Sequence, residues 1–258
     1  MPDILKKLDY WSDRITDRLM RRMPGPRLNI PVSRPVVSFT FDDVPDTALT
    51  NGARILEDHG VRGTFYIAGS LEGQIEPGRT LISREGCRAL AQQGHEIGCH
   101  TFSHTKVSHM GNRRLAADLQ RNKAYLDSVA PQERRRNFAY PYNAGSFRGR
   151  GIFGSRFETC RAGGERINRG AVNPAFLWGV EIRQPESHAR GLTHWIDHLI
   201  AEPGWLIFFT HDIAPQPTDF GCTAETFERL VAHTLARGCT VLPVRDALEQ
   251  FSAGRHPS

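Results

Sequence analysis

Residues 36–43, VVSFTFDD, form a largely apolar run that ends in two adjacent carboxylates. A short run rich in β-branched and aromatic residues predicts a strand buried on both faces, as in a parallel sheet. Functional groups gather where parallel strands end, so Asp42 and Asp43 stand where we expect a site. Because Asp-Asp-x-Pro also favours a turn, the pair by itself is compatible with an ordinary loop.

The same type of run recurs along the chain and alternates with helical patterns. This alternation predicts an α/β fold with a parallel sheet, and a length of 258 residues suits a (β/α) barrel. Further strands are predicted at residues 64–68, 96–99, 137–140, 157–161, 176–182, 205–210 and 240–244, and helices at 47–59, 83–94, 112–129, 192–201 and 223–236.

Composition excludes several classes of protein. The longest uninterrupted apolar run, residues 205–209, is far below the roughly 20 residues that cross a bilayer. The five cysteines are odd in number and form no Cys-x-x-Cys pair, which argues against a disulfide framework or a thiolate zinc site. The first thirty residues carry charges throughout and lack the apolar segment of a secretory signal. We therefore expect a cytoplasmic protein with reduced thiols.

Residues 1–34 are predicted to form an amphipathic helix and a Pro-rich linker ahead of a domain at 35–258. The basic helix has two interpretations: it packs on the domain, or residues 1–22 make peripheral contact with an anionic membrane at its inner face. Its apolar positions recur at helical spacing and are Ile4, Leu8, Trp11, Ile15 and Leu19.

The basic excess is local. Residues 113–169 contain 13 Arg and Lys against 5 Asp and Glu, a charge of +8 within a total of +5. This excess indicates either a solvated face or attraction to an anionic substrate or lipid phosphate. No zinc-finger or aromatic-interleaved RNA motif accompanies it, so we do not expect a nucleic-acid partner.

Two further strand ends carry histidines. His100 and His104 follow the strand at 96–99, and two imidazoles four residues apart on one helical turn suit divalent zinc, cobalt or nickel. His211 follows the strand at 205–210 and can supply an acid or base near neutral pH. His194 and His198 share the spacing but follow no strand-end carboxylate, so we interpret them as an ordinary helix surface.

Taken in order, these motifs resemble those of the NodB-homology polysaccharide deacetylases, carbohydrate esterase family 4. The resemblance rests on residues 40–43 (TFDD), 63–67 (GTFYI), 94–104 (GHEIGCHTFSH) and 206–212 (LIFFTHD), and covers roughly residues 36–244. It implies a distorted (β/α) barrel and a hydrolase of linear amide C–N bonds that removes N-acetyl groups from amino sugars.

The resemblance also implies a role for each matching residue. Asp43, His100 and His104 match the ligands of a divalent metal, with zinc the leading choice and cobalt or nickel as alternatives. Asp42 matches the catalytic base and His211 the general acid.

One motif departs from the family. Where many members have Phe-Arg-x-Pro-Tyr-Gly, this chain has residues 138–143, FAYPYN. Ala139 stands in place of the arginine that orients the base, and we interpret this as a mark of a subfamily. Arg161, at a later strand end, is a candidate substitute for that arginine. Pro141 and the backbone N–H of Tyr142 remain candidates for contacts with the substrate and the oxyanion.

The family's partner of the acidic histidine has no clear counterpart here. Glu181 is one candidate for that partner, although a surface salt bridge is the favoured interpretation of this residue. Two alternatives to an N-acetyl glycan deacetylase stay open. One is a hydrolase of another amide or a formamide on a lipid-linked sugar, and the other is a non-catalytic glycan-binding relative.

Overall fold

The protein is described by a computed structural model that covers residues 15–16, 18–30, 33–131, 136–147 and 149–253. The strands, in chain order, are β1 (Leu28–Ile30), β2 (Val36–Asp42), β3 (Thr64–Ile67), β4 (Ile75–Glu76), β5 (Arg79–Thr80), β6 (Glu96–Cys99), β7 (Arg136–Ala139), β8 (Phe157–Arg161), β9 (Gly170–Val172), β10 (Val180–Glu181), β11 (Trp205–Thr210) and β12 (Thr240–Val241).

The main sheet is parallel throughout and curls into a distorted barrel. Its strand order is β10-β11-β2-β3-β6-β7-β8, and β12 pairs with the start of β2. Arg161, at the end of β8, forms a bridge with Leu177, three residues before β10, so the two edges of the sheet approach each other. The predicted α/β barrel class is confirmed.

Helices cover the outside of this sheet. Ser83 and Thr223 are N-caps, since their hydroxyls accept hydrogen bonds from the N–H groups of Gly86 and Thr226. The helices are α1 (Arg54–Asp58), which continues a π-helical turn at Ala48–Ala53, α2 (Arg84–Gln92), α3 (Asn112–Val129), α4 (Arg150–Arg156), α5 (Glu186–Gly191), α6 (Thr193–Ala201), α7 (Ala224–Ala236) and α8 (Val244–Ala253).

The alternation of side chains along β2 determines what faces the barrel interior. Phe39 and Phe41 pack outward against Phe227 of α7, with ring centroids 5.5 Å from it in both cases. Because successive side chains of a strand point to opposite faces, Thr40 and Asp42 face inward. The apolar side chains of β2 therefore fix the helical layer while its polar ones line the interior.

A buried carboxylate closes the opposite end of the barrel. Glu96, at the start of β6, is fully buried and accepts hydrogen bonds from Thr64 (2.8 Å), Asn137 (2.6 Å) and the backbone N–H of Arg245 (2.7 Å). Burial raises the pKa of Glu96, and these donors partly offset that effect. Glu96 thus ties three strands to the start of α8.

Several elements differ from the predicted ones. β1 lies inside the segment predicted as a Pro-rich linker and pairs antiparallel with β9. The β4–β5 hairpin was not predicted, because its strands have only two residues each. The strand predicted at 176–182 is instead a 3₁₀ turn (Pro174–Phe176) followed by β10, with Gly179 between them. The division at residue 34 stays a prediction.

The N-terminal helix is described only from residue 15. Ile15 and Leu19, which the pattern places on the packing face, are 59% and 50% exposed, whereas Met20 is buried in the main core. The contact face is thus rotated by about one residue from the predicted stripe. Ile4, Leu8 and Trp11 lie outside the described residues.

Basic residues of the 113–169 segment are dispersed in the fold. Arg161 is buried in the barrel, Arg150 donates to the carbonyl of Pro24, and Arg169 binds the carbonyls of His198 and Glu202 at the end of α6. These three arginines hold elements together. They do not form a common surface patch.

The cysteines lie in the interior of the fold. All five lie in the described part of the chain, are buried and form no disulfide. The cytoplasmic location stays a prediction.

In the described residues, none of the helices combines the length and the hydrophobicity that crossing a bilayer requires.

Candidate active site

Three strand ends meet on one side of the barrel. β2 ends at Asp42, β6 leads into His100, and β11 leads into His211. Asp43 follows with φ 58°, a left-handed conformation that is uncommon outside glycine, and His104 has φ 50°. Strained backbone of this kind concentrates at functional sites, where the surrounding structure maintains it.

Asp43, His100 and His104 form one compact cluster. Asp43 Oδ1 lies 2.9 Å from His104 Nε2 and 3.5 Å from His100 Nε2. One potential ligand atom from each residue lies within 4.8 Å of the other two, and no other group of three such residues occurs in the described part of the chain. The structure thus brings the three predicted metal ligands together.

The hydrogen bonds of His100 orient it as a ligand. Its Nδ1 donates to the carbonyl oxygen of Ala139 at 2.8 Å, so in the neutral ring Nε2 directs a lone pair towards Asp43. Burial lowers the pKa of His100 to about 4, and the charge of His104 adds to this effect, whereas the carboxylates of Asp42 and Asp43 oppose it. The imidazole is therefore neutral at pH 7.

The cluster fits a divalent cation. Asp43 Oδ1 is buried and has no aligned hydrogen-bond donor among the described residues, and it faces the lone pair of His100. Two electron-rich atoms in such contact need a positive charge between them. Two imidazole nitrogens with one carboxylate oxygen are a donor set that suits zinc, cobalt or nickel.

The second oxygen of Asp43 is held by an arginine that the sequence did not indicate. Arg79 Nη2, on β5, donates to Asp43 Oδ2 at 2.9 Å and lies 2.7 Å from Glu76 Oε2. Burial by itself raises the pKa of Asp43, but the close contact of His104 and the charges of the histidines hold it well below its ordinary value. Arg79 leaves Oδ1 as the oxygen directed at the histidines.

Asp42 is paired with Arg161 inside the barrel. Arg161 Nη2 donates to Asp42 Oδ1 at 2.6 Å and also contacts Oδ2, and the two side chains are 1% and 4% exposed. The guanidinium lies over the ring of Phe209, 4.3 Å from its centroid. A buried carboxylate is thereby charge-balanced and held beside the metal-ligand cluster.

His211 approaches the cluster from the other side. Its Nδ1 donates to the carbonyl of Phe220 at 3.3 Å, and its Nε2 lies 3.8 Å from Asp43 Oδ2. A carbonyl can only accept, so this bond places the proton of the neutral ring on Nδ1 and leaves Nε2 facing the site. His211 can therefore receive and release a proton at Nε2.

These features agree with the comparisons to known proteins. A family model described as polysaccharide deacetylase matches residues 29–148. The chitooligosaccharide deacetylase of Sinorhizobium fredii is 28% identical over 207 residues, which cover 79% of this chain and 83% of that one. Over these residues the chain is similar to the polysaccharide deacetylase family. The matches support the predicted enzyme class, a hydrolase of N-acetyl amides.

Solved structures support the polysaccharide deacetylase fold. A family 4 acetyl xylan esterase from Clostridium thermocellum, in complex with a cobalt ion, has a TM-score of 0.59 at 19% identity and covers 83% of this chain and 91% of that one. A family 4 pseudoenzyme from Bacillus anthracis has a TM-score of 0.60 at 16% identity, with 88% and 69% covered. Both likenesses concern the fold.

The turn that carries the family's Pro-Tyr pair lies against the cluster. The ring of Tyr142 is 64% exposed and lies 4.9 Å from the ring of His104. Tyr142 and Asn143 have φ values of 58° and 55°, and asparagine tolerates this conformation where many polysaccharide deacetylases have glycine. Pro141 is buried beneath the turn. Tyr142, and not Pro141, is thus positioned for contact with a substrate.

Glu181 does not contact His211 directly in the described structure. Its carboxylate lies 3.3 Å from Arg183 Nε, the salt bridge that we favoured for it. Burial raises the pKa of Glu181, and the charge of nearby His211 opposes that shift. The described hydrogen-bond partner of His211 is the carbonyl of Phe220, which no side-chain motif could reveal.

His194 and His198 lie on α6, as predicted for a helix surface. Both are exposed, and their ring centroids are 5.8 Å apart. They share the spacing of His100 and His104 but belong to no cluster of three potential ligands in the described residues.

Proposed function

We propose that the protein removes the N-acetyl group from an amino sugar within an oligosaccharide and releases acetate, with zinc as the leading metal. The observation that carries this proposal is that Asp42, which precedes Asp43 and pairs with Arg161, and His211, whose Nε2 is 3.8 Å from Asp43 Oδ2, both lie next to the Asp43–His100–His104 cluster. Acyl transfer needs a base and an acid at separate points around the reacting carbonyl, and this arrangement supplies both.

A divalent ion held by Asp43, His100 and His104 would polarise the amide carbonyl and lower the pKa of a water molecule. Asp42 accepts a proton from a water molecule as the oxygen of that water forms a bond with the carbonyl carbon. The Arg161 guanidinium keeps the carboxylate in place during this step. His211, protonated at Nε2, donates that proton to the amide nitrogen as the C–N bond breaks, so the nitrogen leaves as a neutral amine.

The choice of an oligosaccharide rests on the extent of the similarity. The match to the Sinorhizobium fredii chitooligosaccharide deacetylase covers about four fifths of both chains. Exposed rings of Tyr142 and Phe220 flank the cluster next to His104 and His211, and such rings can stack on the faces of sugars. Nothing in the described residues favours a lipid-linked substrate.

A non-catalytic glycan-binding role is the weaker alternative. Binding a sugar requires neither a buried base held by an arginine nor a histidine that presents a free nitrogen. Asp42 is 4% exposed at its side chain and pairs with Arg161, which is costly to maintain in a merely binding site.

The test is acetate release from chitooligosaccharides by purified protein, first treated with chelator and then supplied with zinc or cobalt. We expect activity to disappear with the chelator, to return with metal, and to fall by about 100-fold or more in Asp42→Asn. His198→Ala, from the second histidine pair, should behave as the wild type. Acetate release that persists without metal or in Asp42→Asn would refute the proposed function.

A further inference from the structure

Asn143 contacts the arginine that holds the proposed base. Its Oδ1 accepts a hydrogen bond from Arg161 Nη1 at 2.8 Å, while Nη2 of the same guanidinium binds both oxygens of Asp42. Arg161 Nε has no hydrogen-bond partner among the described residues. Asn143 is therefore the side chain that fixes the half of the guanidinium directed away from Asp42.

The register of two strands explains how Arg161 reaches this place. Ala139 of β7 and Arg161 of β8 are paired in parallel register. Paired residues of parallel strands point to the same face of the sheet, so both side chains enter the barrel at the same level. The methyl group of Ala139 leaves the space into which the neighbouring arginine extends.

Two glycines keep that space open. A Cβ atom on Gly179 would lie 2.9 Å from Arg161 Cδ, and one on Gly163 would lie 3.2 Å from Asn143 Cβ. Contacts this short force the neighbour to move. Three small residues around the pair thus admit a buried arginine and its asparagine partner.

We propose that Asn143 is a positioning residue, which acts through Arg161 to hold the carboxylate of Asp42 in its reactive orientation. The loss of an arginine at position 139 and the presence of an asparagine at 143 are then one coupled change. The guanidinium comes from the adjacent strand, and Asn143 supplies the acceptor that orients it. This inference rests on the proposed function, in which Asp42 is the base.

The left-handed backbone at Asn143 allows a clean test. Glycine accepts a φ of 55° at least as readily as asparagine, so Asn143→Gly removes the acceptor and leaves the turn intact. Asn143→Asp keeps an acceptor oxygen in the same place. The two variants therefore separate the side chain's contact with Arg161 from the conformation of the turn.

We expect Asn143→Gly to lower kcat by about 10-fold or more, with KM, zinc affinity and melting temperature close to those of the wild type. Asn143→Asp should retain most of kcat. A merely structural role would change the melting temperature and would not produce a selective loss of kcat that the aspartate prevents. Wild-type kcat in Asn143→Gly would overturn the inference and leave the proposed function standing.

A second experiment tests whether an arginine on β7 can replace the arginine on β8. Arg161→Ala should lower kcat by about 100-fold, and the double variant Ala139→Arg/Arg161→Ala should recover part of that loss by placing a guanidinium in the same space. Zinc affinity measured by calorimetry confirms that each variant keeps its metal site. If Arg161→Ala keeps full activity on a substrate that Asp42→Asn cannot hydrolyse, Arg161 and Asn143 have no positioning role.

Discussion

Zinc should stabilise the protein through Asp43, His100 and His104, because the metal-free cluster directs a lone pair of His100 at a carboxylate oxygen that lacks an aligned donor. A ligand that binds only the native state at 100 times its Kd adds about 2.7 kcal/mol to the free energy of unfolding. In a domain of this size each kcal/mol raises Tm by about 2–4 °C. Zinc should therefore raise Tm by roughly 5–11 °C.

Scanning calorimetry of chelator-treated protein, with and without zinc at 100 times its measured Kd, gives this shift. Asp43→Ala should abolish most of it, because the carboxylate is the negatively charged ligand of the cluster. The matched control is His198→Ala, which removes a histidine of identical spacing from an exposed helix surface. It should keep the full shift.

Two results would refute the reasoning. One is a zinc-induced rise in Tm that is the same in Asp43→Ala as in the wild type, which would place the bound metal elsewhere. The other is a rise that disappears in His198→Ala, which would make the α6 histidines the ligands.

Three further outcomes follow from buried charges. Arg79→Gln should enlarge the zinc-induced rise in Tm, since zinc then replaces the missing positive charge beside Asp43; a smaller rise than in the wild type contradicts this. Glu96→Ala should lower the free energy of unfolding by about 2–6 kcal/mol in urea titrations, because it removes the acceptor of the Asn137 side-chain amide and of the Arg245 backbone N–H. Burial raises the pKa of Glu96 above 4.5. At a pH between 4.5 and this raised pKa, Glu96 is protonated in the native state but ionised in the unfolded chain. Within that window the stability of the wild type should fall with rising pH more steeply than that of Glu96→Gln, and parallel curves would argue against the shift.

The sequence located most of the site because parallel strands share a direction. The apolar runs before Asp42, His100 and His211 predicted three strands, and a parallel sheet necessarily brings their carboxyl ends to the same side. His100 and His104 could be distinguished from His194 and His198 by that criterion alone. The spacing within each histidine pair is the same and could not distinguish the two pairs.

Short irregular elements could not be predicted in this way. Arg79 reaches Asp43 from a hairpin of two-residue strands, and strands of that length show no periodicity. β1 escaped for a related reason, since the prolines around it predict a linker while its partner β9 lies about 140 residues away in the chain. β1 is fixed by this long-range pairing, which composition and periodicity do not encode.

Arg161 lies between these two cases. Its place at a strand end could be predicted, but its pairing with Ala139 depends on the register of β7 and β8, which the sequence leaves open. Side chains in register on adjacent parallel strands enter the same space, so a guanidinium missing from one strand end can be supplied by its neighbour. A motif comparison position by position treats such an exchange as a loss. The three-dimensional criterion is whether any neighbouring strand places a guanidinium on the carboxylate, and Arg161 meets it at 2.6 Å from Asp42 Oδ1.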